Sequence, residues 1–154
     1  AAAKRAQIEK EYAALTQDVQ KGRGPKVLII FGSPDSFNMS TKKSFGGDLA
    51  ERLGAVNIAD KAENVKDSSY IPLSMEFVAK ENPDIVMLIT MGGSKEILEK
   101  LRANMRDNAI WHDVNAVKNN RVYQLPPSLF TVNPGTHTID AMKIMKEYIY
   151  GEVK

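Results

Sequence analysis

Lys26-Val-Leu-Ile-Ile-Phe31 is a continuous apolar run, rich in β-branched residues, that stops at Gly32. Asp84-Ile-Val-Met-Leu-Ile-Thr90 is a second run of the same kind, and it stops at Met91-Gly92-Gly93. Strands that are apolar on both faces are typical of parallel sheets, which helices cover on both sides. These two stretches therefore predict the central strands of an α/β domain.

Helical patterns and shorter strand patterns surround these two runs. Leu49 and Leu53 predict a helix that ends at Gly54, and Ser74 is a good N-cap for a helix that ends at Asn82-Pro83. The remaining segments are a short strand at 56–59, a helix capped by Ser94, a strand at 121–125 and a closing helix with Ile139, Met142, Met145 and Ile149 on its inner side. The alternation predicts an α/β fold with a parallel-type sheet and helices on both faces.

A mostly polar helix is expected ahead of the first strand. Glycines at 22 and 24 and Pro25 predict its end. Because a single narrow stripe cannot form the centre of a core, we expect this helix to be a strut that leans on the domain by one edge. The stripe is formed by four apolar residues of segment 4–21 that recur at helical spacing, namely Ile8, Tyr12, Leu15 and Val19.

The composition is that of an ordinary globular protein of one domain, with 154 residues of which 43% are hydrophobic and 26% charged. Basic and acidic residues number 21 and 19, and the longest basic cluster, Lys42-Lys43, is too short to predict nucleic-acid binding. The absence of cysteine excludes thiol catalysis and disulfides. No apolar run reaches the ~20 residues of a membrane span. The first residues lack the signal-peptide pattern, so any export signal is expected outside this sequence.

Three polar segments follow predicted strands and are the candidates for a binding site: 32–44, 91–94 and 126–135. In sheets of parallel strands, ligands bind outside the carboxyl ends of the strands. A further polar segment, 60–70, is predicted as loop. Apolar side chains stand among the turn residues of the candidate segments, where they predict either a rim for a bulky, partly aromatic ligand or a local packing cluster. These side chains are Phe37, Met39, Leu129 and Phe130.

Gly32-Ser-Pro-Asp-Ser-Phe-Asn-Met-Ser-Thr41 offers an alternative function. It resembles the phosphate-binding loop of flavodoxin-like FMN-dependent reductases, in which hydroxyls and amides hold a phosphate. An ordinary polar loop with turn residues explains the same segment. The second long strand is not followed by the proline-tyrosine loop that those reductases place beside the flavin, which weakens the resemblance.

The chain offers little for catalysis. His112 follows Trp111 in a predicted helical turn and is expected to be structural or at the surface. His137 lies at the start of the last helix, beside a candidate ligand segment, and is a candidate ligand of haem or a metal. Asp35 has no second carboxylate beside it for acid/base work, and no Ser–His–Asp set can be assembled. The sequence therefore predicts a binding protein and not an enzyme.

Three stretches together resemble the substrate-binding proteins of ABC importers for iron-siderophores, haem and cobalamin. They are Phe45-Gly-Gly-Asp-Leu-Ala-Glu-Arg-Leu-Gly-Ala-Val-Asn57, Leu73-Ser-Met-Glu-Phe77 with Asn82-Pro-Asp-Ile-Val86, and Trp111 with Ala116-Val-Lys-Asn-Asn-Arg-Val-Tyr123. Their order and spacing match the family across residues 26–150. Asn120 stands where the family usually has a turn glycine, a mild exchange because asparagine tolerates the left-handed conformation.

The resemblance implies one half of a two-lobed protein. Residues 1–22 would be the helix that connects the lobes, and residues 26–154 the C-terminal α/β lobe, with the N-terminal lobe outside this sequence. The implied function is extracytoplasmic, in a periplasm or on a lipid-anchored cell surface: capture of a metal chelate, a ferric siderophore or haem, and its delivery to a membrane permease. No resident cofactor is implied.

The resemblance also suggests roles for single residues. Glu76 matches the glutamate with which this lobe docks onto arginines of the permease, although a carboxylate in the first turn of a helix is also favoured by the helix dipole. Lys42, Lys43 and Lys95 are candidates for contact with an anionic chelate, and Met39 and His137 for contact with haem. The complete set of expected ligand-binding residues is Phe37, Asn38, Met39, Lys42, Met91, Lys95, Phe130 and Asn133.

Overall fold

A computed structural model describes residues 2–17, 24–33, 36–61, 68–90, 95–125 and 138–150. Strands and helices alternate along most of this part of the chain. In chain order the elements are α1 (Ala2–Thr16), β1 (Lys26–Gly32), β2 (Phe37–Ser40), α2 (Phe45–Arg52), β3 (Val56–Asn57), a 3₁₀ helix (Ile58–Lys61), β4 (Tyr70–Pro72), α3 (Met75–Glu81), β5 (Ile85–Thr90), α4 (Lys95–Asp107), α5 (Ala109–His112), α6 (Asn115–Lys118), β6 (Val122–Gln124) and α7 (Thr138–Tyr150).

The two apolar runs form the centre of the sheet, as the sequence predicted. Strands β1 and β5 pair in parallel, from Val27 opposite Ile85 to Gly32 opposite Thr90. Every residue of β5 is buried. Side chains of β1 alternate between two cores, since Val27 and Ile29 belong to one and Leu28 and Ile30 to the other.

Helices cover both faces of the sheet and complete the two cores, which confirms the predicted α/β architecture. The first core lies between the sheet and helices α2 and α7, with Tyr12 and Leu15 of α1 packed against it. The second core lies on the α3 to α6 side and contains the fully buried Trp111. The indole Nε1 donates a hydrogen bond to the Asn104 side chain at 3.1 Å, so this large ring is buried without an unpaired donor.

The centre of the sheet is parallel, as predicted, and two antiparallel strands that were not predicted extend it at one side. Its order is β4-β2-β1-β5-β6, with β3 also paired to β1. Strand β2 lies antiparallel to β1, and β4 lies antiparallel to β2. The segment 32–44 therefore contains a strand where loop was expected, and a further strand begins at Tyr70, the last residue of the segment 60–70. The reason is that β3 pairs only with Lys26 and Val27, which would leave the rest of that β1 edge without backbone partners. Strand β2 supplies them.

Local signals in the sequence placed several element ends correctly. The Ser74 hydroxyl accepts a hydrogen bond from the Phe77 amide, and Asn82 ends α3 in the left-handed conformation with φ 49°. Asn120 also adopts a positive φ, 58°, as expected where a glycine is usual. Helix α1 is shorter than predicted, because Thr16 is its last helical residue and Gln17 lies in a turn. Residues 18–23, including Val19, lie outside the described part of the chain.

Candidate ligand-binding edge of the sheet

The carboxyl ends of the parallel strands meet at one edge of the sheet. Gly32, the last residue of β1, lies opposite Thr90, the last residue of β5. On its other side Gly32 lies opposite Phe37, the first residue of β2. The N–H of Leu73, directly after β4, donates to the Phe37 carbonyl at 3.2 Å. Leu73, Phe37, Gly32 and Thr90 thus form a row across the ends of four strands, which we call the carboxyl edge.

Ser33, Ser36 and Asn38 are hydrogen-bonded to one another between the end of β1 and the start of β2. The Ser33 amide donates to the Ser36 carbonyl at 2.9 Å, and the Ser33 hydroxyl donates to the same carbonyl at 3.1 Å. The Asn38 side-chain amide donates to the Ser36 hydroxyl at 3.2 Å. These donors bond to Ser36, so the described part of the segment does not form the phosphate cradle of the FMN alternative. Ser33, Ser36 and Asn38 instead form a polar rim whose hydrogen bonds to one another hold it in place.

Phe37 provides apolar surface beside that rim. Its ring is partly buried and packs against the second core. A Cβ atom on Gly32 would lie 3.2 Å from Phe37 Cδ1 and 2.7 Å from Ile97 Cγ2, so the ring and helix α4 both close onto the bare backbone of residue 32. The missing side chain at Gly32 therefore allows Phe37 and Ile97 to approach the backbone this closely at the carboxyl edge.

Two expected ligand residues lie elsewhere, because β2 runs back from the carboxyl edge. The three residue steps from Phe37 to Ser40 correspond to about 10 Å along a strand. Met39 points into the second core and is only 2% exposed. Lys42 follows the far end of β2, where its backbone N–H donates to the Asp60 carboxylate at 2.8 Å. Met39 is thus a core residue, and Lys42 lies away from the edge to which it was assigned.

Of the lysines expected to contact the ligand, Lys95 lies close to the carboxyl edge. It is exposed as the first residue of α4, the helix that follows β5 after segment 91–94. A cation at this end works against the helix dipole, so the dipole does not explain its presence. Four other expected residues, Met91, Phe130, Asn133 and His137, lie outside the described residues, and their roles stay predictions.

Thr90 is a polar residue of the carboxyl edge that no sequence pattern singled out. It is fully buried, and its hydroxyl makes no hydrogen bond within the described residues. A buried hydroxyl without a partner costs about 1–3 kcal/mol. Only the register of β1 and β5 reveals its position beside Gly32, since a threonine that ends an apolar run has no distinctive sequence pattern.

His112 lies at the other end of the domain. Helix α4 starts beside the carboxyl edge and runs 13 residues to Asp107, and α5, which contains His112, follows that far end. The ring Nε2 lies 2.8 Å from the Arg106 carbonyl oxygen, which gives the imidazole a local partner. This placement agrees with the expectation of a structural or surface histidine.

Within the described residues no group of three or more His, Cys, Asp or Glu is arranged to hold a metal ion.

Glu76 lies at the same end of the sheet as the carboxyl edge. Two successive antiparallel pairings make β4 parallel to β1, so α3 begins where β1 ends. Glu76 is in the first turn of α3, exposed, and forms no ion pair or hydrogen bond with any described residue. An unpaired carboxylate close to the carboxyl edge is available to a partner that approaches from this side.

No helix of the described residues is long and apolar enough to cross a membrane.

A family model described as periplasmic binding protein matches residues 1–129. In sequence, the high-affinity heme uptake system protein IsdE of Staphylococcus aureus (strain MRSA252) is 35% identical over 130 residues, which are 84% of this chain and 43% of that protein. The chain thus spans less than half the length of this curated relative.

Two solved structures are similar to nearly the whole of this chain, which again spans only part of each of them. Staphylococcus aureus IsdE complexed with heme has a TM-score of 0.82 and 29% identity, with 96% of this chain and 56% of that chain covered. An ABC transporter substrate-binding protein from Listeria monocytogenes EGD-e also has a TM-score of 0.82, with 28% identity over 98% of this chain and 57% of that chain.

Proposed function

This chain belongs to the periplasmic binding protein family, and on that premise we propose that it is part of the substrate-binding component of an ABC importer that captures haem. The observation that carries the proposal is the double likeness to a haem uptake protein, in sequence and in the structure of its haem complex. Neither the hydrogen bonds of the polar rim nor the comparisons support the flavodoxin-like alternative.

The proposed ligand fits the chemistry of the carboxyl edge. Haem is a flat apolar ring with two carboxylates on one side. Phe37 offers partly buried aromatic surface for the ring, and the polar rim of Ser33, Ser36 and Asn38 lies beside it. Lys95 supplies a cation for a carboxylate on the other side of Gly32. A site of apolar walls with a few placed polar groups is typical of small-molecule binding.

His137 is the residue that we propose as an iron ligand. Imidazole is a common axial ligand of haem iron. The chain contains two histidines and no cysteine, and His112 lies at the end of the domain away from the carboxyl edge. Met39, the other expected haem ligand, is enclosed in the core. These facts favour His137, which precedes α7 in the segment after β6.

We further propose that the whole protein has two lobes and works outside the cytoplasm. In this arrangement residues 1–22 form the connecting helix, residues 26–154 form the C-terminal lobe, and a first lobe that is not part of this sequence closes over the ligand. Support comes from the coverage of about half of each solved relative. The proposed partner is the importer's permease, contacted through Glu76.

Absorption titration of the full-length protein with haem tests the proposal. We expect a sharp change in the haem Soret band at a one-to-one ratio, lost or strongly shifted in His137→Ala and preserved in the matched control His112→Ala. No spectral change with haem, together with tight binding of a ferric siderophore, would replace haem by the siderophore as ligand. Binding of neither iron compound overturns the proposed function.

A further inference from the structure

Thr90 is the last residue of β5, and its side chain is fully buried. Leu88 and Val86, which come before it at alternate positions of the strand, belong to the second core, so the Thr90 side chain lies on the same face of the sheet. Gly32 lies opposite Thr90 in the register and follows Ile30 on that face. The Thr90 hydroxyl is therefore enclosed on the α3 to α6 side of the sheet, at the carboxyl edge.

The first turn of α4 covers this part of the face. A Cβ atom on Gly32 would lie 2.7 Å from Cγ2 of Ile97, the third residue of α4. Because neighbouring strands lie about 4.8 Å apart, the Thr90 side chain is next to the same turn. Lys95 and Glu96 begin this helix, both exposed, and neither forms an ion pair with a described residue. The Thr90 hydroxyl, the Lys95 side chain and the positive end of the helix dipole thus lie at one end of α4.

The Thr90 hydroxyl is unusual because a buried hydroxyl normally has a hydrogen-bond partner. Ser40 is the other residue with a buried, unpartnered hydroxyl in the described part of the chain. Its side chain lies on the opposite face of the sheet, since its neighbour Met39 points into the second core, and β2 carries it away from the carboxyl edge. Among the described residues, only Thr90 combines an unpaired buried hydroxyl with a position at that edge.

The chemistry at this end of α4 suits an anion. A threonine hydroxyl donates one hydrogen bond, and an ionised carboxylate only accepts. The helix N-terminus and Lys95 both favour negative charge. Because the hydroxyl is enclosed, a carboxylate must displace part of its cover to reach it. The unpaired hydroxyl favours that displacement, since it gains a partner only in the bound state.

We propose that Thr90 is a specificity-determining residue of the ligand site, whose hydroxyl is left without a protein partner so that it can donate a hydrogen bond to a carboxylate of the ligand. Lys95 supplies the opposite charge. The inference rests on the proposed function and extends it, because it names the group on the ligand that is recognised at the start of α4.

Absorption titration of the full-length protein tests this contact by comparing haem with haem dimethyl ester, which keeps the iron and the ring but has no free carboxylate. Thr90→Val removes the hydroxyl and keeps the shape of the side chain, whereas Thr90→Ser keeps the hydroxyl. We expect Thr90→Val to bind haem about tenfold more weakly, which corresponds to about 1.4 kcal/mol, and to bind the ester as the unsubstituted protein does. Thr90→Ser should bind haem like the unsubstituted protein. Lys95→Gln should weaken haem binding by a smaller factor, because an exposed charge contributes less.

Ser40→Ala is the matched control, because it removes the other unpaired buried hydroxyl and leaves the carboxyl edge unchanged. Thermal unfolding without haem supplies a second measurement that a purely structural role of Thr90 would not separate from binding. Thr90→Val and Ser40→Ala should both raise the unfolding temperature, since each removes an unsatisfied buried hydroxyl. Only Thr90→Val should also weaken haem binding.

The possible results separate the two proposals. Loss of haem affinity in Thr90→Val, with the ester and Ser40→Ala unaffected, supports the contact. If Thr90→Val binds haem as tightly as the unsubstituted protein, or loses affinity for haem and for the ester equally, the contact is overturned and the proposed function stands. If the unsubstituted protein binds neither haem nor a ferric siderophore, the proposed function fails and takes the Thr90 contact with it.

Discussion

Arg52 of α2 holds Tyr12 of α1: the guanidinium Nη1 donates to the phenol oxygen at 2.9 Å, and the guanidinium carbon lies 5.8 Å from the centre of the ring. Asp48 accepts a second hydrogen bond from Arg52 Nε at 3.0 Å. These contacts raise the pKa of Arg52, with the Tyr12 hydrogen bond as the largest cause and Asp48 next. Lys146 of α7 donates to the Leu15 carbonyl at 2.8 Å, so α1 is held to the domain at two places.

We expect Tyr12→Phe to lower the free energy of unfolding by about 0.5–1 kcal/mol, because it removes one exposed hydrogen bond and keeps the ring. Arg52→Ala should cost a similar amount, and the double variant should cost less than the sum, since both changes remove the same contact. Urea unfolding measures all three. Gln7→Ala, an exposed change on the same helix, should shift stability by only a few tenths of a kcal/mol. Strict additivity of the two changes would contradict the coupling.

Gly32→Ala should destabilise the chain by about 1–3 kcal/mol, the usual cost of overpacking. The new Cβ would lie 2.7 Å from Ile97 Cγ2, and a β-branched side chain in the core cannot swing away. Ile97→Ala removes that methyl group, so the double variant should lose less than the two single variants together. Thermal unfolding of the four proteins gives the comparison. An additive result would show that the clash is relieved in some other way.

The sequence predicted the centre of the fold because strands that are buried on both faces have a distinctive composition. Strands β1 and β5 and the ends of α3 depend on such local signals. Strand β2 does not. Asn38 and Ser40 give it the polarity of a loop, and it is a strand because the edge of β1 beyond Val27 needs backbone partners.

Strand β2, which the sequence did not predict, also explains which site residues could be placed correctly. That the strand ends meet at one edge follows from the topology of parallel strands, and this reasoning placed Phe37 at that edge, where its role stays a prediction. Met39 and Lys42 were not placed correctly, because an antiparallel strand turns one into the core and carries the other away from the edge.

Thr41 and Thr90 form a matched pair, since both are fully buried but only one has partners. The Thr41 hydroxyl donates to the Ser68 carbonyl and accepts from the Lys43 amide, whereas that of Thr90 has no partner within the described residues. We therefore expect Thr41→Val to cost about 1–3 kcal/mol and Thr90→Val to stabilise the chain by about 1 kcal/mol. Chemical denaturation tests both. Equal losses in the two variants would mean that Thr90 has a hydrogen bond in solution.

Asp60 should make stability fall as the pH rises above about 4. Burial raises the pKa of its carboxyl above the ordinary value of 3.8. The hydrogen bond from the Lys42 amide lowers this pKa by a smaller amount, and repulsion from Glu51 raises it. The folded chain thus holds this proton more tightly than the unfolded chain, so the penalty is absent well below pH 3.8 and complete above the folded-state pKa. Asp60→Asn should therefore stabilise the chain at pH 7, by less than about 1 kcal/mol because solvent screens a half-buried group, and have little effect at pH 3. Asp113→Asn, at an exposed carboxylate, is the control, and a gain that is equal at both pH values would sink the explanation.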